Sequence, residues 1–293
     1  MSEASNERFR VALVQLRCGR SVASNLAQAE ALIRRAAELG ADYVQTPENT
    51  SFMELERDRV LHQAESEEES APLARLRAVA KELGLWLHIG SLAVKIDAER
   101  LANRSYVIGP DGEIAARYDK LHMFDVDLGN GETYRESRNY APGTKGVVVD
   151  LPMGRLGMTI CYDLRFPALY RALATAGAKL IAIPSAFTRQ TGEAHWRVLV
   201  RARAIETGAF IVAASQGGLH ENGRSTYGHS MIVSPWGEVL AEAGEDPGVI
   251  FADIDLSESE AARKRIPALL HGRDFEVEVV AAPSVSSGKT GAR

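Results

Sequence analysis

The chain of 293 residues carries a net charge of −5, with 45% hydrophobic and 25% charged residues. This balance is typical of a globular protein with a sizeable core, and it provides no basic field for nucleic acid or an anionic membrane. No apolar run is long enough to span a bilayer, and the first residues, MSEASNERFR, lack an apolar signal core, so we expect a cytoplasmic protein. Two cysteines, Cys18 and Cys161, are too few for a disulfide framework, and no paired cysteines suggest zinc.

Hydrophobic patterns then predict strands that alternate with helices along the chain. The predicted strands are 9–16, 42–48, 85–92, the end of 146–161, 179–186 and 209–216; the predicted helices are 24–40, 72–84, about 164–177 and about 191–208. Pro-Asp-Gly and Pro-Trp-Gly turns predict hairpins over 104–120 and 229–243. The mixture predicts an α/β fold with mixed sheets in a single domain, 1–281, followed by a flexible tail, 282–293.

Cys161 lies at a junction that suits a nucleophile. The strand RLGMTI ends at this residue, and DLRFPALYRALATAG follows as a predicted helix. A strand-to-helix turn exposes a side chain at the edge of the sheet, and the positive end of the helix lowers the pKa of a thiol. The alternative is a buried, inert cysteine, which is also how we interpret Cys18 in QLRCGRS.

A cysteine nucleophile needs a base and an oxyanion stabiliser. No spacing singles out any of the seven histidines, and neither HExxH nor GxSxG is present. Glu48 in QTPENT and Lys120 in RYDKLHMFD each follow a predicted strand, as Cys161 does. Each could be a solvated loop residue, but their shared position at strand ends favours one common site.

On these residues the chain, from about 9 to 275, resembles the nitrilase, or carbon–nitrogen hydrolase, superfamily. The matching motifs are TPENTSFM with Glu48, RYDKLHMFDVD with Lys120 and GMTICYDLRFPALYRALATAGA with Cys161; a second family glutamate matches Glu136 in YRESRNYAPG. The resemblance implies a four-layer α-β-β-α sandwich, subunits that pair into a homodimer, and a Glu-Lys-Cys triad that uses neither metal nor cofactor.

The resemblance also assigns a role to each residue. Glu48 takes the thiol proton and Cys161 attacks a carbonyl carbon. Lys120 and the backbone N–H of Tyr162 hold the oxyanion, and a thioester is then hydrolysed. Because Glu48 must accept and return a proton, we expect burial to raise its pKa toward neutrality.

The segment 184–237 indicates the branch of the family. TGEAHW and RARAIET are similar to both ω-amidases and deaminated-glutathione amidases, whereas AASQGGLHENGRSTYGHSMIV looks closer to the latter. The resemblance implies a small-molecule amide substrate, deaminated glutathione, cleaved to 2-oxoglutarate and cysteinylglycine. The alternatives are an ω-amidase acting on 2-oxoglutaramate or another aliphatic amidase, and after these a nitrilase or a non-catalytic scaffold.

An acidic substrate requires cationic or N–H donors. The candidates for substrate binding are Tyr162, Arg165, Ser185, Phe187, Thr188 and Arg189. For each arginine a salt bridge or a solvated position is the alternative. We expect Arg201 and Arg203 to be structural, His195 and Trp196 to serve packing, and the loop 127–135 to cover the pocket as a lid.

Overall fold

A computed structural model describes residues 8–129 and 131–281; the predicted flexible tail, 282–293, lies outside the described residues. The strands are β1 (Arg8–Gln15), β2 (Tyr43–Gln45), β3 (Trp86–Lys95), β4 (Leu101–Ile108), β5 (Ile114–Asp119), β6 (Asp125–Asp127), β7 (Thr133–Arg135), β8 (Val147–Leu151), β9 (Gly154–Met158), β10 (Leu180–Ala182), β11 (Phe210–Ala213), β12 (Gly217–Leu219), β13 (Ser225–Tyr227), β14 (Met231–Val233), β15 (Val239–Glu242) and β16 (Gly248–Asp255). The helices are α1 (Val22–Glu38), α2 (Arg57–Gln63), α3 (Ala71–Leu83), α4 (Pro167–Thr175), α5 (Arg189–Thr191), α6 (Arg197–Thr207) and α7 (Ser257–Arg265). None of the helices in this part of the chain has the length and apolarity needed to cross a bilayer.

Two six-stranded mixed sheets organise the fold. The first has the order β16-β1-β2-β3-β4-β5 and the second β15-β14-β11-β10-β9-β8. In each, three central strands run parallel, β1-β2-β3 and β9-β10-β11, and antiparallel strands extend both sides. Neighbouring parallel strands end at the same edge of their sheet. The loop after β2 therefore lies at an edge of the first sheet, and the loop after β9 lies at an edge of the second.

The two sheets pack face to face between two layers of helices. In β1, Val11 and Leu13 join a core cluster with Leu156 of the second sheet, whereas Ala12 and Val14 join a cluster with α1 and α3. This alternation is the two-residue period of a strand buried on both faces. Helices α4 and α6 pack together, and α6 lies against β11 and β14 of the second sheet. The predicted four-layer α-β-β-α sandwich is confirmed.

The helix predicted from about 164 begins later than expected. Residues Cys161–Arg165 form a 3₁₀ turn, and α4 starts at Pro167. Phe166 has φ −114° and ψ 86°, because the ring of a following proline disfavours the helical region for the preceding residue. Cys161 therefore heads a single tight turn, and a full helix does not begin directly after it.

The helix predicted near 191–208 is interrupted. A short α5 is followed by a π-helical turn, Gly192–Trp196, and then by α6. Trp196 is fully buried, its Nε1 donates to the carbonyl of His229 at 2.8 Å, and its ring lies 5.0 Å from that of Phe187. These contacts give Trp196 the packing role that we expected, while His195 is exposed.

Candidate active site

The turn that follows β9 holds Cys161 in an unusual backbone conformation. Its φ is +49°, a left-handed value that a residue with a side chain adopts only when its surroundings enforce it. The Cys161 N–H donates to the carbonyl of Pro184 at 2.9 Å, and the Ile160 N–H donates to Asp163 Oδ2 at 2.8 Å. Arg203 donates twice to the carbonyl of Leu164 from the other side of the turn, at 2.9 and 2.8 Å.

Asp163 anchors this turn to the first sheet. Its carboxylate is fully buried and accepts from the Tyr118 hydroxyl at 2.6 Å and from His122, through Nδ1 at 2.7 Å and the backbone N–H at 3.1 Å. Tyr118 and His122 flank Lys120 in sequence. The same carboxylate therefore links the segment that carries Lys120 to the segment that carries Cys161.

Glu48 lies in the loop after β2 and is only 3% exposed. The Gln216 side chain donates to the carbonyls of Glu48 and Asn49 at 3.0 and 3.2 Å. Gly90 of β3 allows the loop to come close, because a Cβ at that position would lie 2.1 Å from the carbonyl oxygen of Thr46. Backbone and neighbours thus direct the Glu48 carboxylate inward.

Lys120 joins the two glutamates. Its Nζ lies 2.9 Å from Glu48 Oε1 and 3.0 and 2.8 Å from the two oxygens of Glu136. The backbone N–H of Phe124 donates to Glu136 Oε2 at 2.7 Å. One buried ammonium therefore contacts two carboxylates. These three groups together carry a single net negative charge.

Asn103, which the sequence analysis did not single out, bridges the same carboxylates. Its Nδ2 donates to Glu48 Oε1 at 2.9 Å and to Glu136 Oε1 at 3.1 Å. Its position could have been found from the hairpin register, because the Lys120 N–H donates to the Asn103 carbonyl at 3.0 Å. A polar side chain on the buried face of β4, beside the predicted lysine, was the available signal.

The charges of Lys120, Glu48 and Glu136 determine which groups of this cluster are protonated. Burial alone would lower the pKa of Lys120, but Glu136 and Glu48 outweigh it and raise the pKa well above its ordinary value. Burial would raise the pKa of Glu48, yet the charge and hydrogen bond of Lys120, with a hydrogen bond from the Cys161 thiol, lower it. Glu48 is therefore a carboxylate and Lys120 an ammonium at neutral pH.

The Cys161 thiol behaves differently from the sequence expectation. The residue is 6% exposed, and burial together with the negative charge of Glu48 raises the pKa of its thiol above the ordinary value, although Lys120 acts in the opposite direction. The helix effect expected from the sequence does not lower this pKa. Nor is the pKa of Glu48 raised toward neutrality. The raised pKa keeps the proton on the Cys161 sulfur in this resting state, close to the charged carboxylate of Glu48.

These groups face a cavity of about 660 Å³. Its lining comprises Glu48, Asn49, Phe52, Met53, Glu54, Leu55, Arg57, Asn103, Lys120, Phe124, Thr133, Tyr134, Arg135, Glu136, Arg138, Asn139, Tyr140, Cys161, Tyr162, Ala186, Phe187, Thr188, Thr191 and Arg224. No histidine occurs in this lining as the described residues define it, nor do those residues contain a group of three or more side chains suited to hold a metal ion.

Three of the six predicted substrate-binding residues lie in that lining: Tyr162, Phe187 and Thr188. Ser185 is fully buried and its hydroxyl donates to the carbonyl of Ile183 at 3.1 Å. The guanidinium of Arg189 pairs with Glu245, at 2.8 Å for one of its two hydrogen bonds.

Arg165 contacts two aromatic residues of the lining but is not part of that lining. Its guanidinium is 5.3 Å from the centre of the Phe187 ring and 6.0 Å from that of Tyr162, with His195 Nδ1 at 3.3 Å. Neither Arg165 nor Arg189 is in the lining, so the structure does not bring the two predicted cations to the cavity surface. The arginines in the lining, Arg57, Arg135, Arg138 and Arg224, come from loops and short elements whose position the strand pattern did not reveal.

Part of the predicted lid, 127–135, forms the hairpin of β6 and β7, and Thr133, Tyr134 and Arg135 contribute to the lining. Asn130 within this loop lies outside the described residues. The Tyr134 ring lies 5.2 Å from that of Phe124, a residue of the lysine motif. The hairpin therefore forms one wall of the cavity; its action as a lid stays a prediction.

Comparison with known proteins agrees with this arrangement. The carbon–nitrogen hydrolase family model matches residues 10–264, so the chain belongs to the carbon–nitrogen hydrolase family. The predicted resemblance and the predicted enzyme class, a hydrolase of carbon–nitrogen bonds other than peptide bonds, are thereby confirmed.

Individual relatives are named more specifically. The chain is 40% identical to a deaminated glutathione amidase of Yersinia enterocolitica over 90% of this chain and 92% of the relative. It is 37% identical to an omega-amidase of Bos taurus, covering 92% and 98% of the two chains. Among solved structures, Nit3 of Saccharomyces cerevisiae, a nitrilase-superfamily member, matches with a TM-score of 0.81 and 29% identity over 91% of this chain and 97% of Nit3.

Proposed function

We propose that this chain hydrolyses the amide bond of deaminated glutathione to give 2-oxoglutarate and cysteinylglycine. The observation that carries the proposal is a cavity of about 660 Å³ in which Cys161, Glu48 and Lys120 meet and which several arginines line. That volume suits a substrate of tripeptide size, and the cations suit its two carboxylates. The name of the Yersinia relative supports the same substrate.

The first half of the proposed reaction forms a thioester. The Cys161 sulfur attacks the amide carbon as its proton moves to Glu48, and the carbonyl oxygen becomes an oxyanion. Lys120 and the backbone N–H of Tyr162 stabilise this charge, which is a larger effect in a buried site than in water. When the C–N bond breaks, Glu48 returns the proton to the departing amine.

The second half restores the enzyme. Glu48 takes a proton from water, the resulting hydroxide attacks the thioester carbon, and the C–S bond breaks to release the acid. The proton held by Glu48 then returns to sulfur. Because Glu136 and Asn103 also hold Lys120 and Glu48 in place, the carboxylate and the ammonium keep their geometry through both halves.

The decisive experiment compares two amides on the purified protein. Deaminated glutathione releases cysteinylglycine, which is measured by thiol-specific chromatography, and 2-oxoglutaramate releases ammonia. We expect kcat/KM for deaminated glutathione to be the larger by at least about tenfold. A larger value for 2-oxoglutaramate would identify an ω-amidase, the second candidate, which the similarity to the bovine omega-amidase supports.

We propose that the substrate contacts include Tyr162, Phe187 and Thr188, which the cavity lining supports. The side chains of Ser185, Arg165 and Arg189 would act from behind the wall, and their substitution tests whether they act at all. We expect Phe187→Ala to raise KM more than Ser185→Ala, because only Phe187 lines the cavity.

We also propose a homodimer. Exposed apolar side chains cluster beside a second cavity of about 520 Å³, where Ile205 is 56%, Trp236 58% and Leu270 85% exposed. A second copy of this chain would cover a surface that few monomeric proteins leave open. Light scattering on a size-exclusion column tests the proposal: the wild type should have the dimer mass, and Trp236→Asp should lower it. A monomeric wild type would refute it.

A cytoplasmic location and a single domain over residues 1–281 complete the proposal. Both described cysteines are free thiols, as a reducing compartment maintains. Cell fractionation with an antibody tests the first. Limited proteolysis tests the second, since one stable fragment is expected.

A further inference from the structure

Arg224 is a cation in the cavity wall whose hydrogen-bond partners are all uncharged. Its Nη2 donates to the carbonyl of Ala186, and its Nη1 lies 3.9 Å from the sulfur of Met53. Its Nε is buried and has no hydrogen-bond partner among the described residues. Among the described residues, no carboxylate forms a hydrogen bond or an ion pair with this guanidinium. An arginine in this state retains donors for an anion that the protein itself does not supply.

The other arginines near the cavity are committed or exposed. Arg189 pairs with Glu245, and Arg57 donates to the backbone carbonyls of Arg138 and Glu99. Arg57, Arg135 and Arg138 are exposed, whereas Arg224 is half-buried, with the Tyr134 ring 5.1 Å from its guanidinium carbon. A partly dehydrated guanidinium binds an anion more strongly than a fully hydrated one.

Arg224 is also close to the chemistry. The carbonyl of Ala186 accepts a hydrogen bond from Arg224, and Ala186, Arg224 and Cys161 line the same cavity. The charge of Arg224 also reaches Glu48, which instead binds Lys120, Asn103 and the thiol. An amide whose carbonyl carbon lies at Cys161 therefore has Arg224 within the same binding site.

We propose that Arg224 is the receptor for the carboxylate of the leaving group, which is the C-terminal carboxylate of cysteinylglycine; this inference rests on the proposed function. Deaminated glutathione and 2-oxoglutaramate share their acyl group and differ only in what leaves. A receptor for the leaving group is thus the feature that separates the two activities. Arg224 comes from the loop between β12 and β13, within the stretch AASQGGLHENGRSTYGHSMIV that resembles the deaminated-glutathione branch.

The test uses a pair of substrates that differ in one charge: deaminated glutathione and its C-terminal glycinamide. A charge-assisted, forked contact with a carboxylate predicts that Arg224→Met raises KM for the free acid about 10- to 100-fold, with a small change in kcat. For the glycinamide and for 2-oxoglutaramate the same variant should stay within about threefold of wild type. The matched control, Arg100→Met, removes an exposed arginine that pairs with Asp97 and should leave all three substrates unaffected.

Three kinetic results would overturn the inference. Equal losses on all three substrates would assign Arg224 to the acyl carboxylate or to the orientation of Glu48. No loss on any substrate would remove it from binding. A selective loss in Arg138→Met, with none in Arg224→Met, would place the receptor at the exposed rim.

A failure of the proposed function can be distinguished from a failure of the Arg224 inference. Wild-type activity on deaminated glutathione tests the function, whereas the ratio between free acid and glycinamide tests Arg224. If the wild type prefers another acyl group, the same pair is made on that group, with glycine or glycinamide as leaving group. Titration calorimetry of both amides into Cys161→Ala and Cys161→Ala/Arg224→Met proteins reads the contact without turnover, and equal affinities in the two proteins would refute it.

Discussion

Cys18 and Cys161 are both buried free thiols, and both contact the loop that carries Glu48. The Cys18 thiol donates to the carbonyl of Thr50 at 3.3 Å and accepts from Gln216 Nε2 at 3.1 Å, and burial raises its pKa to about 12. Burial also raises the pKa of Cys161, but this thiol has a carboxylate for its proton, an ammonium nearby and a cavity in front of it. The comparison teaches that a lowered pKa is not what distinguishes the proposed nucleophile. Its neighbours distinguish it.

The largest expected effect separates the two thiols directly. Cys161→Ser should lower kcat about 10⁴-fold or more, because a hydroxyl is a far weaker nucleophile and leaving group in this setting. Cys18→Ser, as the matched control, should keep kcat within about threefold. Steady-state kinetics on the preferred amide measures both, and comparable losses in the two variants would refute the distinction.

Removing the Lys120 ammonium tests a charged neighbour that Cys161 has and Cys18 does not. Lys120→Met should lower kcat about 10²- to 10³-fold through loss of oxyanion stabilisation. It should also lower the free energy of unfolding by about 3–5 kcal/mol, since Glu48 and Glu136 are then buried without their cation. Urea titration gives the stability. Adding Glu136→Gln should recover part of the stability and none of the activity, while His62→Ala, an exposed histidine, should change neither.

Asn103 sharpens the comparison further, because it donates to Glu48, the proposed base of Cys161. Asn103→Leu removes the donors to Glu48 and Glu136, and we expect kcat to fall about tenfold with KM changed less than twofold. Loss of a hydrogen bond to the carboxylate also raises the pKa of Glu48, so the acid limb of kcat should move to higher pH. A purely structural role would lower the melting temperature without moving that limb.

The smallest expected effect is the pH dependence of the wild type. The pKa of Glu48 is lowered and that of Lys120 raised, so Glu48 stays charged as pH falls toward 5 and Lys120 stays charged as pH rises to 9. We therefore expect kcat/KM to vary no more than about twofold between pH 6 and 9. A tenfold loss per pH unit below pH 7 would instead show the near-neutral Glu48 that the sequence analysis expected.

Much of the fold could be predicted because its signals are local. Strand periodicity, glycine stops and Pro-Asp-Gly turns identify most elements of both sheets, although β16 was not predicted. The order of strands and helices indicates mixed sheets. The start of α4 differs from the prediction, because Pro167 is the first residue of the helix and not an interior one. The positions of Glu48, Lys120 and Cys161 at strand ends are likewise visible in the chain itself.

Contacts between distant segments were not predictable in the same way. Asn103 and Glu48 are separated by 55 positions, and Arg224 meets Ala186 across 38. The protonation of Cys161 depends on its burial and on the charges of Glu48 and Lys120, which lie in other segments of the chain. The pattern of residues in any one stretch does not predict how these opposing effects on the pKa of the thiol add up.

The amino-acid sequence by itself therefore determined the mixed α/β sheets and the strand-end residues, because element type and motif spacing are properties of neighbouring residues. The four-layer sandwich followed only from the family resemblance that those motifs carry. Tertiary structure alone decided which groups hold the protons and which arginines line the cavity. Both depend on the summed field of groups brought together by packing, and the strength of that field depends on distance and burial. Arg189 and Arg224 are the same type of residue, but packing pairs Arg189 with Glu245 outside the cavity lining and places Arg224 in that lining, beside the carbonyl of Ala186.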